Sequence, residues 1–450
     1  MSAEGKRKWI YPQQPRGRFY RSRTLLSVVL LGILFGVPFL TLHGQPFMLL
    51  NIVDRKFILF GTVFGPHDFF ILGLSLIACI VFVVLFTVAF GRVFCGWVCP
   101  QTVLMEMVFR RIDYWIEGDH RAQRRLNESR WSGAKAAKKL IRYTVYCALS
   151  FLIANTLLAW VVGVEALARI VADPPAQHLG GLTAMLVFTG VFYWIFAWLR
   201  EQACILVCPY GRLQGVLLDR SSIVIAYDHV RGEPRGKISR TAGRSAGDCI
   251  DCDQCVEVCP TGIDIRNGTQ LECVNCTACI DACDAVMDKV KRPRGLIRYA
   301  SADVIVSGEG FRWTPRILGY TAVLVVLVAA AAYLLATRTD VDVTVLRTSG
   351  MFFQEQPDGR ISNIYDVKVL NKTFDSVGIT FRLEDLEGEV RPLGEDLSVP
   401  PQGVLEGKLM VVLSRDRISR MSSPIHLGIY SGERRLGTAQ TTFLGSAHRR

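Results

Sequence analysis

The sequence predicts a polytopic α-helical membrane protein with a cysteine-rich insert and a C-terminal β-sandwich. Three observations predict it: five long apolar runs, eight cysteines crowded between Cys249 and Cys283, and a cysteine-free C-terminal stretch of short alternating segments. In a chain of 450 residues that is half hydrophobic, with mean hydropathy +0.28, the apolar residues are concentrated in runs. That is the pattern of several membrane crossings.

The runs long enough to cross about 30 Å of hydrocarbon are Leu25–Leu42, Phe69–Phe90, Tyr143–Val164, Leu182–Leu199 and Ile317–Ala336. No small-residue cleavage pattern follows the first, which reads as an uncleaved anchor despite Pro38. The segment between the first two, interrupted by Asp54, Arg55 and Lys56, reads as an extracytoplasmic loop touching the membrane interface. Basic residues cluster from Lys6 to Arg23, from Arg110 to Arg142 and from Lys289 to Arg316, while the alternate loops are nearly bare. With five crossings all three basic segments fall on one side, which predicts a cytoplasmic N-terminus and insert and an external C-terminus. The net charge of +12 therefore belongs to topology and to anionic membrane lipids, and no recognition motif suggests nucleic acid.

This gives a basic tail at 1–24, a four-helix membrane domain at 25–220 and the insert at 221–316. A fifth helix follows at 317–336, and the outer domain at 337–450. In that domain "VDVTVLR", "IYDVKVLNK", "VGITFRL", "GKLMVVL", "IHLGIY" and "TAQTTFL" read as strands of an Ig-like sandwich of about seven. The Cys…Trp…Cys pattern of antibody domains is absent.

No cysteine follows Cys283, which argues against a secreted disulfide framework and for metal or redox chemistry. Cys249, Cys252, Cys255 and Cys259 follow C-x2-C-x2-C-x3-C-P, and Cys273, Cys276, Cys279 and Cys283 repeat the spacing with Asp284 in place of proline. This is the spacing of bacterial ferredoxins with two [4Fe–4S] clusters, in which the fourth cysteine of each run serves the other cluster. By that rule Cys249, Cys252, Cys255 and Cys283 form one set, and Cys273, Cys276, Cys279 and Cys259 the other. Zinc also uses C-x2-C pairs, but two tandem runs of four suit tetrahedral sites poorly.

Four more cysteines lie at span ends. "FCGWVCPQTV" places Cys95 and Cys99 after the second span, and "CILVCPYGRLQG" places Cys204 and Cys208 after the fourth. This repeated C-x3-C-P would put each pair on one face if helical, with proline suiting the first turn of a new helix. Soft thiolates in this number fit Cu(I), zinc or an iron–sulfur centre. Cys79 and Cys147 read as small core residues, and Glu201 beside Arg200 as a solvated edge ion pair. His43, His67 and His178 fall near outer span ends, and no span contains a histidine. No C-x-x-C-H for haem attachment and no phosphate-cradling glycine loop occurs.

With "FCGWVCPQTV", "CPYGRLQGVLLD", "CPTGIDIRNGTQLECVNCTACIDAC" and "YDVKVLNKT" together, the sequence resembles the CcoG family, also called FixG or RdxA, over nearly its whole length. These are cytochrome c oxidase accessory proteins of bacterial membranes. The resemblance implies an inner-membrane protein, multi-pass, with its ferredoxin domain cytoplasmic and its C-terminal domain periplasmic. It implies reduction of Cu(II) to Cu(I) for the copper centre of a cbb3-type oxidase, with copper as substrate or ligand. Its partners would be oxidase assembly factors, or copper chaperones and exporters, and an electron donor the sequence does not name. Cys95, Cys99, Cys204 and Cys208 then become the candidate catalytic and copper-binding residues. The alternatives are a NapH-like conduit carrying quinol electrons to a periplasmic reductase, and a non-enzymatic assembly scaffold whose clusters sense oxygen or iron.

Overall fold

The computed structural model describes residues 9–42, 44–52, 55–65, 68–174, 176–237, 247–308, 313–394, 397–418 and 420–445. Of the positions singled out above, Lys6, His43, Asp54 and His67 lie outside them. The chain forms two compact units, residues 1–51 with 73–329, and residues 52–72 with 330–450.

Five helices are long and apolar enough to cross a membrane. They are α1 (Arg18–Gly36), α2 (Phe69–Phe90), α3 (Gly133–Val162), α4 (Leu179–Trp194) and α5 (Pro315–Ala336). Many of their apolar side chains point outward, Leu25, Leu76, Val187 and Val326 among them. Outward leucine and valine all along such helices mark a lipid-facing surface, and the protein is a multi-pass membrane protein. Cys79 and Cys147 share that surface. The expectation that they fill the core is corrected: a thiol is small and apolar enough to face lipid.

Two of the helices depart from the apolar runs. α1 begins seven residues before Leu25 and gives way at Pro38 to a tight turn, Val37–Phe39. Proline's missing N–H stops helical bonding there, so Leu42 is not helical. α3 begins ten residues before Tyr143, at Gly133, capped by Ser132, whose hydroxyl accepts from the Lys135 amide. Its first turns carry Lys135 and Lys139, whose ammonium groups find the Asn127 and Ser129 carbonyls and Glu117.

The early start of α1 has a cause elsewhere in the first unit. Its N-cap is Gly17, which has no side chain to satisfy the first amides, and the buried Asp281 carboxylate accepts from Phe19 (3.2 Å) and Tyr20 (2.8 Å) instead. A Cβ at Gly17 would lie 2.2 Å from Asp281 Cγ, so only glycine leaves room for this cap. Asp281 sits on the helix Ala278–Lys289, which carries Cys279 and Cys283. The cysteine-rich region is closed by a two-stranded antiparallel sheet, Val224–Tyr227 with Ile297–Ala300.

In the second unit, one antiparallel sheet has the order Gly388–Leu393, Val404–Leu413, Ile361–Asn371, Val341–Arg347. The other has Thr380–Leu383, Ser422–Ser431, Arg434–Leu444. Alternating residues of both sheets fill one core around Tyr365, Val411, Leu427 and Phe443, the Ig-like sandwich expected. The loop before α2 is a hairpin here, Lys56–Leu59 with Thr62–Phe64, and it belongs to this unit. It is tied in through a buried charge cluster. Asp68 accepts from Arg338 (3.0 Å) and Lys372 (3.1 Å), and Lys372 also pairs with Asp342 at 2.7 Å. Burial disfavours the Asp68 charge, but the two cations outweigh it and hold its carboxyl below the usual carboxylate range.

Breaking one partner of a buried pair costs about 3–5 kcal/mol. Asp68→Asn is expected to lower the stability of the second unit by that order, read as faster hydrogen exchange along Ile361–Asn371. Because the folded pKa is depressed, the wild-type contribution is present at neutral pH. It is lost only as pH falls below about 4, the unfolded value, towards the folded one, and the mutant's pH profile should lack that step.

Candidate electron-transfer and metal site

Each cysteine run bends through left-handed residues at matching places, Asp251 and Asp253 in the first, Asn275 and Thr277 in the second. Asp and Asn tolerate this conformation, whereas β-branched Thr277 does so against preference and is pinned by its hydroxyl on the Cys276 carbonyl at 2.5 Å. The bends curl the chain around two cavities. One is lined by Cys249, Cys252, Cys255 and Cys283. The other is lined by Cys259, Cys273, Cys276 and Cys279, with Cys255 between the two. Four thiols around each compact cavity are the donor set a [4Fe–4S] cubane takes. Burial pushes Cys255 and Cys273 up to about 12, so sulfur ionises there only against the positive charge of bound iron.

The cavities differ in access. Cys252 of the first is exposed, whereas Cys276 and Cys279 of the second are buried; they are called outer and inner below. The outer site is acidic: the Arg266 guanidinium is shared by Asp251 (2.6 Å), Asp253 (2.7 Å) and Asp264 (2.7 Å).

The inner site abuts both C-x3-C-P segments. Neither pair rides one continuous helix. Cys95 lies in the short helix Val93–Trp97 and Cys204 in the wide turn Ala203–Val207. Cys99 and Cys208 each cap the next helix, with Pro100 and Pro209 in its first turn. In both copies the second cysteine's amide donates five residues back, Cys99 to Phe94 (3.0 Å) and Cys208 to Ala203 (2.9 Å). The sequence repeat is thus a repeat of one wide turn, a form common at functional sites.

Burial pushes the Cys95 thiol up to about 11 and the Cys204 thiol up to about 12. Cys99 and Cys208 add to both, so the four thiols sit within one another's electrostatic reach. Gln214 joins the copies: its carbonyl oxygen accepts from Cys95 Sγ (3.0 Å) and Arg92 Nε (3.1 Å). Among the described residues no three Cys, His, Asp or Glu side chains are placed to hold a single ion.

Gly96, inside the first pair, packs on the inner run so closely that a Cβ would lie 2.4 Å from the Val274 carbonyl and 2.7 Å from that of Asn275. The buried Arg23 binds the two segments, donating to the Gly96 carbonyl (3.0 Å) and to that of Cys276 (2.9 Å). Behind the second pair, a further small cavity is lined by Glu106, Glu201 and Cys204 together with Pro260, Thr261 and Val274. Glu201 is buried, facing Arg110 (3.6 Å) and Arg200 (3.8 Å), so the expected solvated edge pair is corrected. Arg200 itself ends the wide turn Ile195–Leu199 at φ 54, a strained value for a side-chain residue. Its guanidinium is held by Asp113 at 2.9 Å. His178 is engaged by Asp173 at 2.8 Å and belongs to neither cavity. The sequence reading missed Gly96, Arg23, Arg92 and Gln214; the available signal was two arginines at span ends without an acid three or four residues away.

Family models match a 4Fe-4S binding domain at residues 72–119, a 4Fe-4S dicluster domain at 199–302 and the "IG-like fold at C-terminal of FixG" at 331–446. RdxA of Cereibacter sphaeroides is 38% identical over 80% of this chain and 79% of its own length. The nitrogen fixation protein FixG of Rhizobium meliloti is 32% identical over 92% and 88%. The chain belongs to the FixG/RdxA family. It is an iron–sulfur electron-transfer protein of the membrane, with the family's Ig-like C-terminal domain. The ferredoxin-type protein NapH of Haemophilus influenzae is 25% identical over 91% of its own length but only 57% of this chain.

Gly96→Val should force the edge segment off the inner run. The expected result is a fall in iron per chain towards half, with an EPR signal of the outer cluster retained.

Proposed function

We propose that this family member passes single electrons from a cytoplasmic donor through the two cysteine-lined sites to the four edge thiols, where Cu(II) is reduced to Cu(I). In this reading Cys249, Cys252, Cys255 and Cys283 hold the outer [4Fe–4S] cluster and Cys259, Cys273, Cys276 and Cys279 the inner one. Bound there, such clusters supply reversible one-electron transfer at low potential. The chain's own residues set the order. Exposed Cys252 gives the outer site access to a donor. Val274 and Asn275 seat the inner site against Gly96, between Cys95 and Cys99.

That backbone contact is the observation that carries the reading, because it sets the main chain of the inner run directly against the segment that carries Cys95 and Cys99. Copper is the substrate: each Cu(II) takes one electron and leaves as Cu(I), the state that soft thiolates prefer. Cys95, Cys99, Cys204 and Cys208 are the thiols that meet the ion. The basic segments support a cytoplasmic N-terminus and cluster domain and a periplasmic Ig-like domain in the bacterial inner membrane. The family resemblance supports delivery of the cuprous ion towards cbb3-type oxidase assembly through copper chaperones or exporters. The likeness to NapH favours a second reading, in which quinol is the electron source and a periplasmic reductase the sink.

Anaerobic protein reduced with dithionite, then freed of excess reductant, should convert Cu(II) to Cu(I) in the presence of a cuprous chelator. Serine at Cys95, Cys99, Cys204 and Cys208 together should cut turnover by more than the roughly 10–100-fold typical of losing an outer-shell partner, with iron content unchanged. Turnover that survives all four changes overturns the copper assignment. Rapid cluster reduction by a quinol analogue selects the second reading.

A further inference from the structure

Apart from Lys135, which the Asn127 and Ser129 carbonyls hold at the start of α3, the buried cations of the first unit fall into two groups. Arg110, Arg142 and Arg200, with the half-buried Lys139, form a network with Glu106, Asp113, Glu117 and Glu201, in which every cation meets a carboxylate. Arg23 and Arg92 are different. Each is 4% exposed, and among the described residues neither has a carboxylate partner. Among the described residues Arg23 donates to the carbonyls of Gly96 and Cys276. Arg92 donates to the Gln214 amide oxygen at 3.1 Å and to the Leu271 carbonyl. Space around Arg92 is full, since a Cβ on Gly211 would lie 2.8 Å from its Nη2.

A guanidinium taken out of water costs several kcal/mol unless negative charge answers it. Both of these point at the same answer. Arg23 touches the inner run at Cys276, and Arg92 touches it at Leu271, two residues before Cys273. The outer site is the more acidic, with three carboxylates on the one Arg266 and the buried Asp284, met by the exposed Arg18 at 3.6 Å, beside Cys283; Glu106, whose carboxylate faces the inner run, is paired with Arg110 at 3.0 Å.

We infer that Arg23 and Arg92 make the inner site the stronger electron acceptor of the two, so that an electron entering near exposed Cys252 comes to rest beside the edge thiols. This deepens the function proposed above and rests on its two-cluster reading. Burial alone works the other way, because a desolvated site resists added negative charge. The two cations prevail because they share that low-dielectric interior, where opposite charges attract most strongly. The acidic outer surroundings lower the competing potential further. Arg23 and Arg92 act through the inner site and touch no substrate; they are positioning residues for the electron.

The test is an EPR-monitored redox titration of the purified full-length protein after counting iron and sulfide. Two waves are expected. Cys252→Ser should alter only the lower one, which assigns it to the outer site. Arg23→Gln and Arg92→Gln should each move the upper wave to more negative potential, and together move it further. Arg23→Lys and Arg92→Lys, which keep the charge, should largely restore it. The inference is overturned if Cys252→Ser alters the upper wave. It is equally overturned if the glutamine variants, with iron intact, leave the upper wave in place or shift both waves alike. Should those variants lose iron, the order of potentials read with Cys252→Ser in the otherwise native chain still decides. A wild-type chain without iron and sulfide would instead overturn the two-cluster reading itself.

Discussion

At position 96, between Cys95 and Cys99, there is no room for a side chain. Gly96 lies against the Val274 and Asn275 carbonyls, and that contact makes one body of two elements the sequence keeps far apart. Around it the other ties follow. Arg23 bridges the carbonyls on either side of the seam, Trp97 donates to the Tyr299 hydroxyl at 3.1 Å, and Tyr299 in turn reaches the Asn275 carbonyl at 3.4 Å. The seam is polar and built mostly from main-chain groups, which fixes its geometry more tightly than apolar packing of the same area would.

Charge is distributed about this seam with a clear division. The α3 and α4 side is a compensated network that includes Tyr146 donating to Asp113 at 2.8 Å, over a stacked Phe109–Phe196 pair at 4.3 Å. Such a network rigidifies without adding net charge. The cysteine side carries uncompensated cations inward and carboxylates outward. Thiol groups whose ionisation is opposed by burial are left dependent on bound metal for their charge.

Much of the fold is legible in the sequence because hydrophobic period and run length report directly on helix and strand. α2 is read to the residue, since apolar composition begins at Phe69 and ends at Phe90, where Gly91 turns left-handed at φ 59. α3 is read short, because Lys135 and Lys139 look like loop residues until their partners across the fold are known. The strand Gly388–Leu393 escapes because it contains Pro392 and exposed residues on both faces. At the site, cysteine spacing reports local geometry well. What it cannot report is contact over long separation: Glu201 is assigned to solvent because nothing near it in sequence announces Arg110.

The cap on α1 carries a consequence for biogenesis. The helix emerges from the ribosome well before its cap, because the carboxylate that completes its N-terminal end is 261 residues further on, in the Asp281–Tyr20 pair. Until the cysteine-rich segment is translated and folded around its metal, the opening turn of the first membrane crossing keeps unsatisfied amides and stays frayed. The anchoring helix thus reports on the state of a domain made long after it, and a chain starved of iron would present a loosened start that quality-control proteases can grip.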